Sequence, residues 1–174
     1  MGRFDRPGEL GAHLAEIARI WNELLGDLDA RGIELFGRID AVSRHWSALQ
    51  REILTPFGIN YAELTTLGIL RTTRPAPRRS PTELRSPVGQ TSAGMTRILD
   101  KLESEALVRR EPAPDDGRRV DIVLSRRGER LAETAFRELL RAQSPLLGGI
   151  DERAARTTTR VLDALLSAFA DRKG

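Results

Sequence analysis

The chain contains no cysteine. That excludes disulfides, thiol catalysis and cysteine-based redox sensing, and it fits a reducing, cytoplasmic setting. No apolar run approaches the ~20 residues a membrane-spanning helix needs, so no membrane partner is expected. The opening Met1-Gly2-Arg3-Phe4-Asp5 lacks the basic start and apolar stretch of a secretion signal. Histidine occurs twice, at His13 and His45, far apart and without ligand spacing around either. Neither a nucleophile elbow nor a phosphate loop is present. These absences point away from an enzyme: no catalytic residues, no metal ligands and no cofactor are expected.

Of 174 residues, 40% are hydrophobic and 30% charged, a balance that suits a soluble domain with helical extensions. The formal net charge of +3 is too small to indicate nucleic acid alone. Its placement is more informative. Between Arg71 and Arg130 there are 14 Lys and Arg against 9 Asp and Glu, an excess of five, whereas the rest of the chain carries 14 against 16. Positive charge therefore gathers in the middle third, as expected where one face meets phosphates.

Leu10, Leu14, Ile17, Trp21, Leu24 and Leu28 follow the 4-3-4-3-4 spacing of an a/d seam on one helix. Arg31-Gly32 reads as the break. A second stripe follows through Phe36, Ile39, Val42, Trp46, Leu49 and Ile53, ended by Thr55-Pro56 and Gly58. Each helix has more apolar surface than it can hide alone. Asn60-Tyr61-Ala62-Glu63 and Ser80-Pro81-Thr82-Glu83 both have the form of a capping box and open helices. Arg74 to Arg79 reads as a loop, because it holds two prolines. Pro87 and Gly89 keep the Ser80 helix short. Thr91 or Ser92 caps the next, with Met95, Ile98, Leu99 and Leu102 on its inner side.

The period then changes. Leu107 to Glu111 and Val120 to Leu124 read as two strands, with Asp116-Gly117 as the turn between them. Ser125 caps a long helix that Pro145 to Gly149 interrupts, and Asp151 caps a last helix bearing Val161, Leu162, Leu165, Leu166 and Phe169.

A short helix, a tight turn, a second helix and a basic hairpin form a unit that can lie in the major groove. Gln90, Thr91, Ser92, Gly94 and Thr96 are small or polar at the start of the second helix, so its backbone can approach base edges. Arg97 and Lys101 can reach phosphates or purine acceptors. Arg97 can equally pair with Asp100 or Glu103. Arg118 and Arg119 at the hairpin tip suit a narrow, negative minor groove. Asp116 beside them is read as orienting an arginine, since a free carboxylate would repel DNA.

These residues resemble the MarR family of bacterial regulators. Its signature appears as Arg97 with Leu102-Glu103, then Asp116-x-Arg118, then Leu124-Ser125-Arg126-Arg127-Gly128. Ser80 to Glu103 is similar to a large branch of that family. Arg85 departs from it, standing where a small alanine is usual. The resemblance implies a mainly α (α+β) fold: a winged helix-turn-helix with a two-stranded β wing, flanked by N- and C-terminal dimerisation helices. It implies residues 1–57 as dimerisation helices and pocket wall, 58–128 as the DNA-binding domain and 129–174 as further dimerisation helices. It further implies a homodimer held through Leu14, Ile17, Trp21, Leu24, Leu162, Leu165 and Phe169.

The resemblance also implies double-stranded DNA as partner and a small anionic or phenolic effector. The branch with an extra N-terminal helix includes urate-responsive members, and on that basis Trp21, His45, Thr65, Arg97 and Arg109 are candidate effector residues. The expectation is a ligand-responsive repressor on a pseudo-palindromic operator. The rival reading is a winged-helix protein-interaction module without specific DNA binding.

Overall fold

A computed structural model describes residues 7–26, 29–74, 76–114 and 118–172. The chain divides once, after Pro56, into two compact units, Met1–Pro56 and Phe57–Gly174. In the first unit, helix α1 (Pro7–Leu24) packs on helix α2 (Arg31–Leu54). Leu14 lies against Gly37, and Ala18 and Ala41 are buried. Small residues at these points let the two helices approach closely. The apolar seam outruns this contact: Trp21 is 47% exposed and Leu24 67%. Leu28 lies outside the described residues.

The break differs from the one expected at Arg31-Gly32. Arg31 opens α2. Its backbone N–H donates to Asp29 Oδ1 at 3.0 Å, and its guanidinium donates to both oxygens of that carboxylate. The Asp29 carboxyl is accordingly pushed down to about 2, chiefly by the Arg31 side-chain bond. Glycine is tolerated at residue 32 because a first helical turn has few intrahelical bonds to lose.

The second unit contains α3 (Tyr61–Thr72), β1 (Arg78–Arg79), α4 (Pro81–Val88), α5 (Ser92–Ser104), β2 (Val108–Pro112), β3 (Val120–Leu124), α6 (Arg126–Leu147) and α7 (Glu152–Asp171). Each of α3 to α7 is opened by the side-chain cap its sequence offers, from Asn60, Ser80, Thr91, Ser125 and Asp151 respectively; α3 and α4 carry complete capping boxes. Such caps contribute ~1 kcal/mol each. The sheet has three strands in the order β1-β3-β2, all antiparallel, not the two expected. Arg78 and Arg79 pair with Val123 and Ile122. A two-residue strand has no periodicity of its own. Its partner, 40-odd residues away, creates it.

The core of this unit is one cluster: Leu64, Leu67 and Leu70 of α3, Leu84 of α4, Met95, Leu99 and Leu102 of α5, Ile122 of β3, and Ala132, Ala135 and Leu139 of α6. Leucines buried this completely contribute about 2 kcal/mol apiece through apolar area alone. α6 continues through Pro145 to Leu147, past the interruption expected there. Pro145 lies in the exposed last turn, so the carbonyl left without its N–H faces water.

Two helix ends close in the same way. After α4, Gly89 sits in the left-handed region at φ +68°, its N–H bonded to Ser86 O and that of Gln90 to Arg85 O. After α5, Ala106 sits there at φ +56°, its N–H bonded to Glu103 O and that of Leu107 to Leu102 O. Both are Schellman closures, one with glycine and one with alanine. Next to the second, Ser125 Oγ donates to Ala106 O at 2.7 Å and Ser125 N–H to Leu107 O at 3.1 Å. A Cβ at Gly128 would stand 2.1 Å from that same Leu107 oxygen. This contact explains the glycine that ends the Leu124-Ser125-x-x-Gly128 motif.

Candidate nucleic-acid interface

α5 buries Met95, Ile98, Leu99 and Leu102 against the core and turns Ser92, Thr96, Arg97 and Asp100 to solvent. α4 and the Gly89 turn fix where it starts. Thr91 is its cap, accepting from Gly94 N–H at 3.1 Å, so this hydroxyl is tied to the backbone. Thr96 Oγ1 donates to Ser92 O at 3.0 Å. Half-buried Gln90 closes over Gly94, where a Cβ would meet its Oε1 at 2.7 Å. Arg85 of α4 reaches across the turn, and its Nη1 donates to Ser92 Oγ at 2.8 Å.

Arg97 makes no ion pair among the described residues. The carboxylates that the sequence offers it, Asp100 and Glu103, are both taken by Arg110 of β2, with Arg110 Nη2 at 2.6 Å from Asp100 Oδ1. Arg110 N–H also donates to Glu103 Oε1. The Asp100 bond, with Glu103 adding to it, raises the Arg110 guanidinium above its ordinary value. Arg110 thereby fastens α5 to the wing and leaves Arg97 facing outward.

Lys101 points elsewhere. Its Nζ lies 2.8 Å from Glu63 Oε2 and 2.7 Å from Gly58 O. Glu63, 4% exposed, also accepts the Asn60 N–H as half of the α3 capping box. The Lys101 ammonium therefore holds the first turn of α3 and does not face outward beside Arg97. Nothing local announces this, because the partners are 38 and 43 residues away.

In the wing, Arg118 and Arg119 are exposed, and Ala113 N–H donates to Arg119 O to close the hairpin base. Asp116, with Asp115 and Gly117, lies outside the described residues, so its orienting role is not placed. Arg109 on β2 donates to Glu111 Oε1 at 3.0 and 3.2 Å. Arg78 shares that glutamate and lies 3.9 Å from Asp121. Beneath the wing, Glu83 is held below the usual carboxylate range, first by the Ser80 hydroxyl, then by the Ser80 N–H, with smaller help from Arg79 and Arg119.

An amphipathic groove of about 940 Å³ runs between α3 and α6. Tyr61, Thr65, Ile69, Phe136 and Leu140 form its walls, with the Phe136 ring set against Gly68. Arg71 at its edge is bound to Glu129 and Glu133. Arg137 lines it too and makes no ion pair among the described residues. Of the effector candidates, Thr65 lines this groove. Arg97 and Arg109 lie apart from it on α5 and β2, and Trp21 and His45 belong to the first unit.

Of the seven residues expected at a dimer interface, Trp21, Leu24, Leu162 and Phe169 are exposed and Leu14, Ile17 and Leu165 half-buried. Among the described residues there is no cluster of side chains fit to hold a metal ion, and no helix is long and apolar enough to cross a membrane.

Residues 57–119 match the family model for the MarR family. Among solved structures, the transcriptional regulator PA3341 is 30% identical, with 78% of this chain and 98% of that one covered at a TM-score of 0.68. A mutant MarR from E. coli, solved in complex with operator DNA, is 24% identical over 84% and 97% of the two chains, at a TM-score of 0.67. CouR from Rhodococcus jostii, bound to p-coumaroyl-CoA, is 18% identical over 76% and 91%, at a TM-score of 0.68. No curated protein matches the chain.

Proposed function

The chain belongs to the MarR family and is a DNA-binding transcriptional regulator; from that premise we propose that it acts as a homodimeric, effector-released repressor on a pseudo-palindromic operator. The observation that carries the DNA-reading part is the outward side of α5. Ser92, Thr96 and Arg97 are exposed together at the start of a helix whose other side is buried, and the Arg118-Arg119 tip stands on the following hairpin. Residues 58–128 read DNA. Residues 1–57 and 129–174 supply dimer contacts, with Leu24, Leu162 and Phe169 as apolar residues that a second chain would cover.

The effector reading rests on the α3–α6 groove. Its aromatic and aliphatic walls suit a flat phenolic body, and the Arg137 guanidinium suits a carboxylate or phenolate. The groove lies in the same unit as α5, so occupancy can act on the spacing of two recognition helices. The site of action is cytoplasmic in this reading.

The test is fluorescence anisotropy on duplex DNA from immediately upstream of the gene, with a scrambled duplex as control, at several salt concentrations. Specific binding should exceed the control by ~10³-fold or more and weaken steeply with salt. Arg97→Ala and Arg118→Ala should each weaken it clearly. Equal, weak affinity for both duplexes points to an architectural role or an operator elsewhere, and no binding even at low salt favours a protein-interaction module. Sedimentation at micromolar concentration that finds a single chain overturns the dimer.

A further inference from the structure

We propose that Arg85 is a positioning residue for base reading, acting through Ser92. The inference rests on the DNA-binding reading above and names a device within it. Arg85 occupies the last turn of α4 and Ser92 the first position of α5. The Gly89 turn between them is held by the Gln90 N–H bond to the Arg85 carbonyl and the Gly89 N–H bond to Ser86. The backbone of Arg85 is thus part of the turn, and its side chain spans the turn to reach Ser92 Oγ at 2.8 Å.

A serine hydroxyl has one hydrogen and two lone pairs, and a guanidinium can only donate. Arg85 therefore occupies a lone pair of Ser92 and leaves its hydrogen, which has no acceptor among the described residues. The adjacent positive charge also polarises the O–H toward donating and repels a second donor. An unconstrained serine can face either a donor or an acceptor. Ser92, held in this way, faces acceptors: purine N7, guanine O6 or thymine O4, not the amino group of cytosine.

Ser92 is well placed for this role. Its neighbour Thr91 has its hydroxyl tied to Gly94 N–H, and the Thr96 hydroxyl is tied to the Ser92 carbonyl. Of these three hydroxyls at the head of α5, only that of Ser92 has its polarity set by a side chain from another helix. Arg85 itself is exposed, so it can hold Ser92 while the helix lies against DNA.

The experiment selects a preferred duplex for the wild-type protein, then substitutes each base pair of one half-site in turn and measures competition by anisotropy. Arg85→Ala, Ser92→Ala and the double variant are run beside wild type, with thermal melts to show that all are folded. The expected result is that Arg85→Ala and Ser92→Ala flatten discrimination at the same base pair by about tenfold. The double variant should lose no more than either alone, because the two side chains act as a unit. Arg85→Lys, which keeps a cationic donor without the planar fork, should restore part of the discrimination. Arg85→Ala lowering affinity for every duplex alike, or losses that simply add in the double variant, overturns the assignment and leaves Arg85 as a phosphate contact. A wild-type protein that prefers no duplex overturns the DNA-binding reading itself, a separate failure visible before any variant is measured.

Discussion

Helices α5 and α7 are both strongly amphipathic, yet they end in opposite situations. α5 buries four large side chains in its own chain and presents polar residues to solvent. α7 buries none of its 20 residues, and Leu166 on it is 67% exposed. The lesson is that an apolar stripe shows that a partner exists without showing where. For α5 the partner is α3, α4 and the sheet. α7 finds no comparable burial among the described residues of its own unit.

This contrast can be broken most forcefully at Leu102, which is fully buried. Leu102→Ala should cost about 3 kcal/mol in urea denaturation, through lost transfer energy and the cavity left behind. Leu162→Glu combined with Phe169→Glu on α7 should leave the folded chain intact by circular dichroism and abolish self-association in sedimentation. A global loss of structure in that variant would show that α7 has a partner within its own chain after all.

Lys101→Met should rank next. It keeps most of the side chain's length but strips a buried carboxylate of its counter-charge, at about 2 kcal/mol by urea denaturation. No loss of stability would mean that Glu63 is satisfied by the Asn60 N–H alone. The two Schellman closures sharpen the picture further, because they differ in one atom. Ala106→Gly should stabilise the protein by up to about 1 kcal/mol by relieving the left-handed alanine, and Gly89→Ala should cost about as much. Thermal melts of the pair check the sign.

The smallest effect concerns pH. Glu83 has its carboxyl lowered in the fold, so its share of stability is present above the ordinary carboxylate value and is lost as pH falls through the lower, folded one. Amide protection factors in α4, with the intrinsic exchange rate at each pH divided out, should therefore fall toward acid pH, and Glu83→Gln should flatten that dependence. A profile unchanged by the substitution would remove Glu83 from the account.

Much of this architecture is local, and what is local is legible. Asn60, Ser80, Thr91, Ser125 and Asp151 each cap the helix that the sequence assigns to them, because a cap is a bond between residues three apart. Strand β1, the Lys101–Glu63 pair and the Arg110 clasp on Asp100 and Glu103 depend on partners brought together by the fold, and no local pattern encodes them. The helix break departs from the sequence expectation for a different reason. Glycine is a breaker on average, but Asp29 captures the Arg31 N–H and starts the helix ahead of Gly32. In the candidate interface, the residues of α5 could be named from the sequence. Which of their polar groups face outward could not, because Lys101 and Arg97 differ only in where distant carboxylates lie.

The junction at Leu107 has a mechanical consequence. Its carbonyl accepts Ser125 N–H and presses against Gly128, while its own N–H closes the end of α5. The end of the reading helix, the start of the wing and the first turn of α6 therefore meet within one helical turn, like gears cut on one shaft. α6 cannot rotate without carrying the other two. On the reading proposed above, a small molecule wedged between α3 and α6 would carry α5, the wing and the start of α6 together, changing the stride between two paired heads and not the letters each one reads.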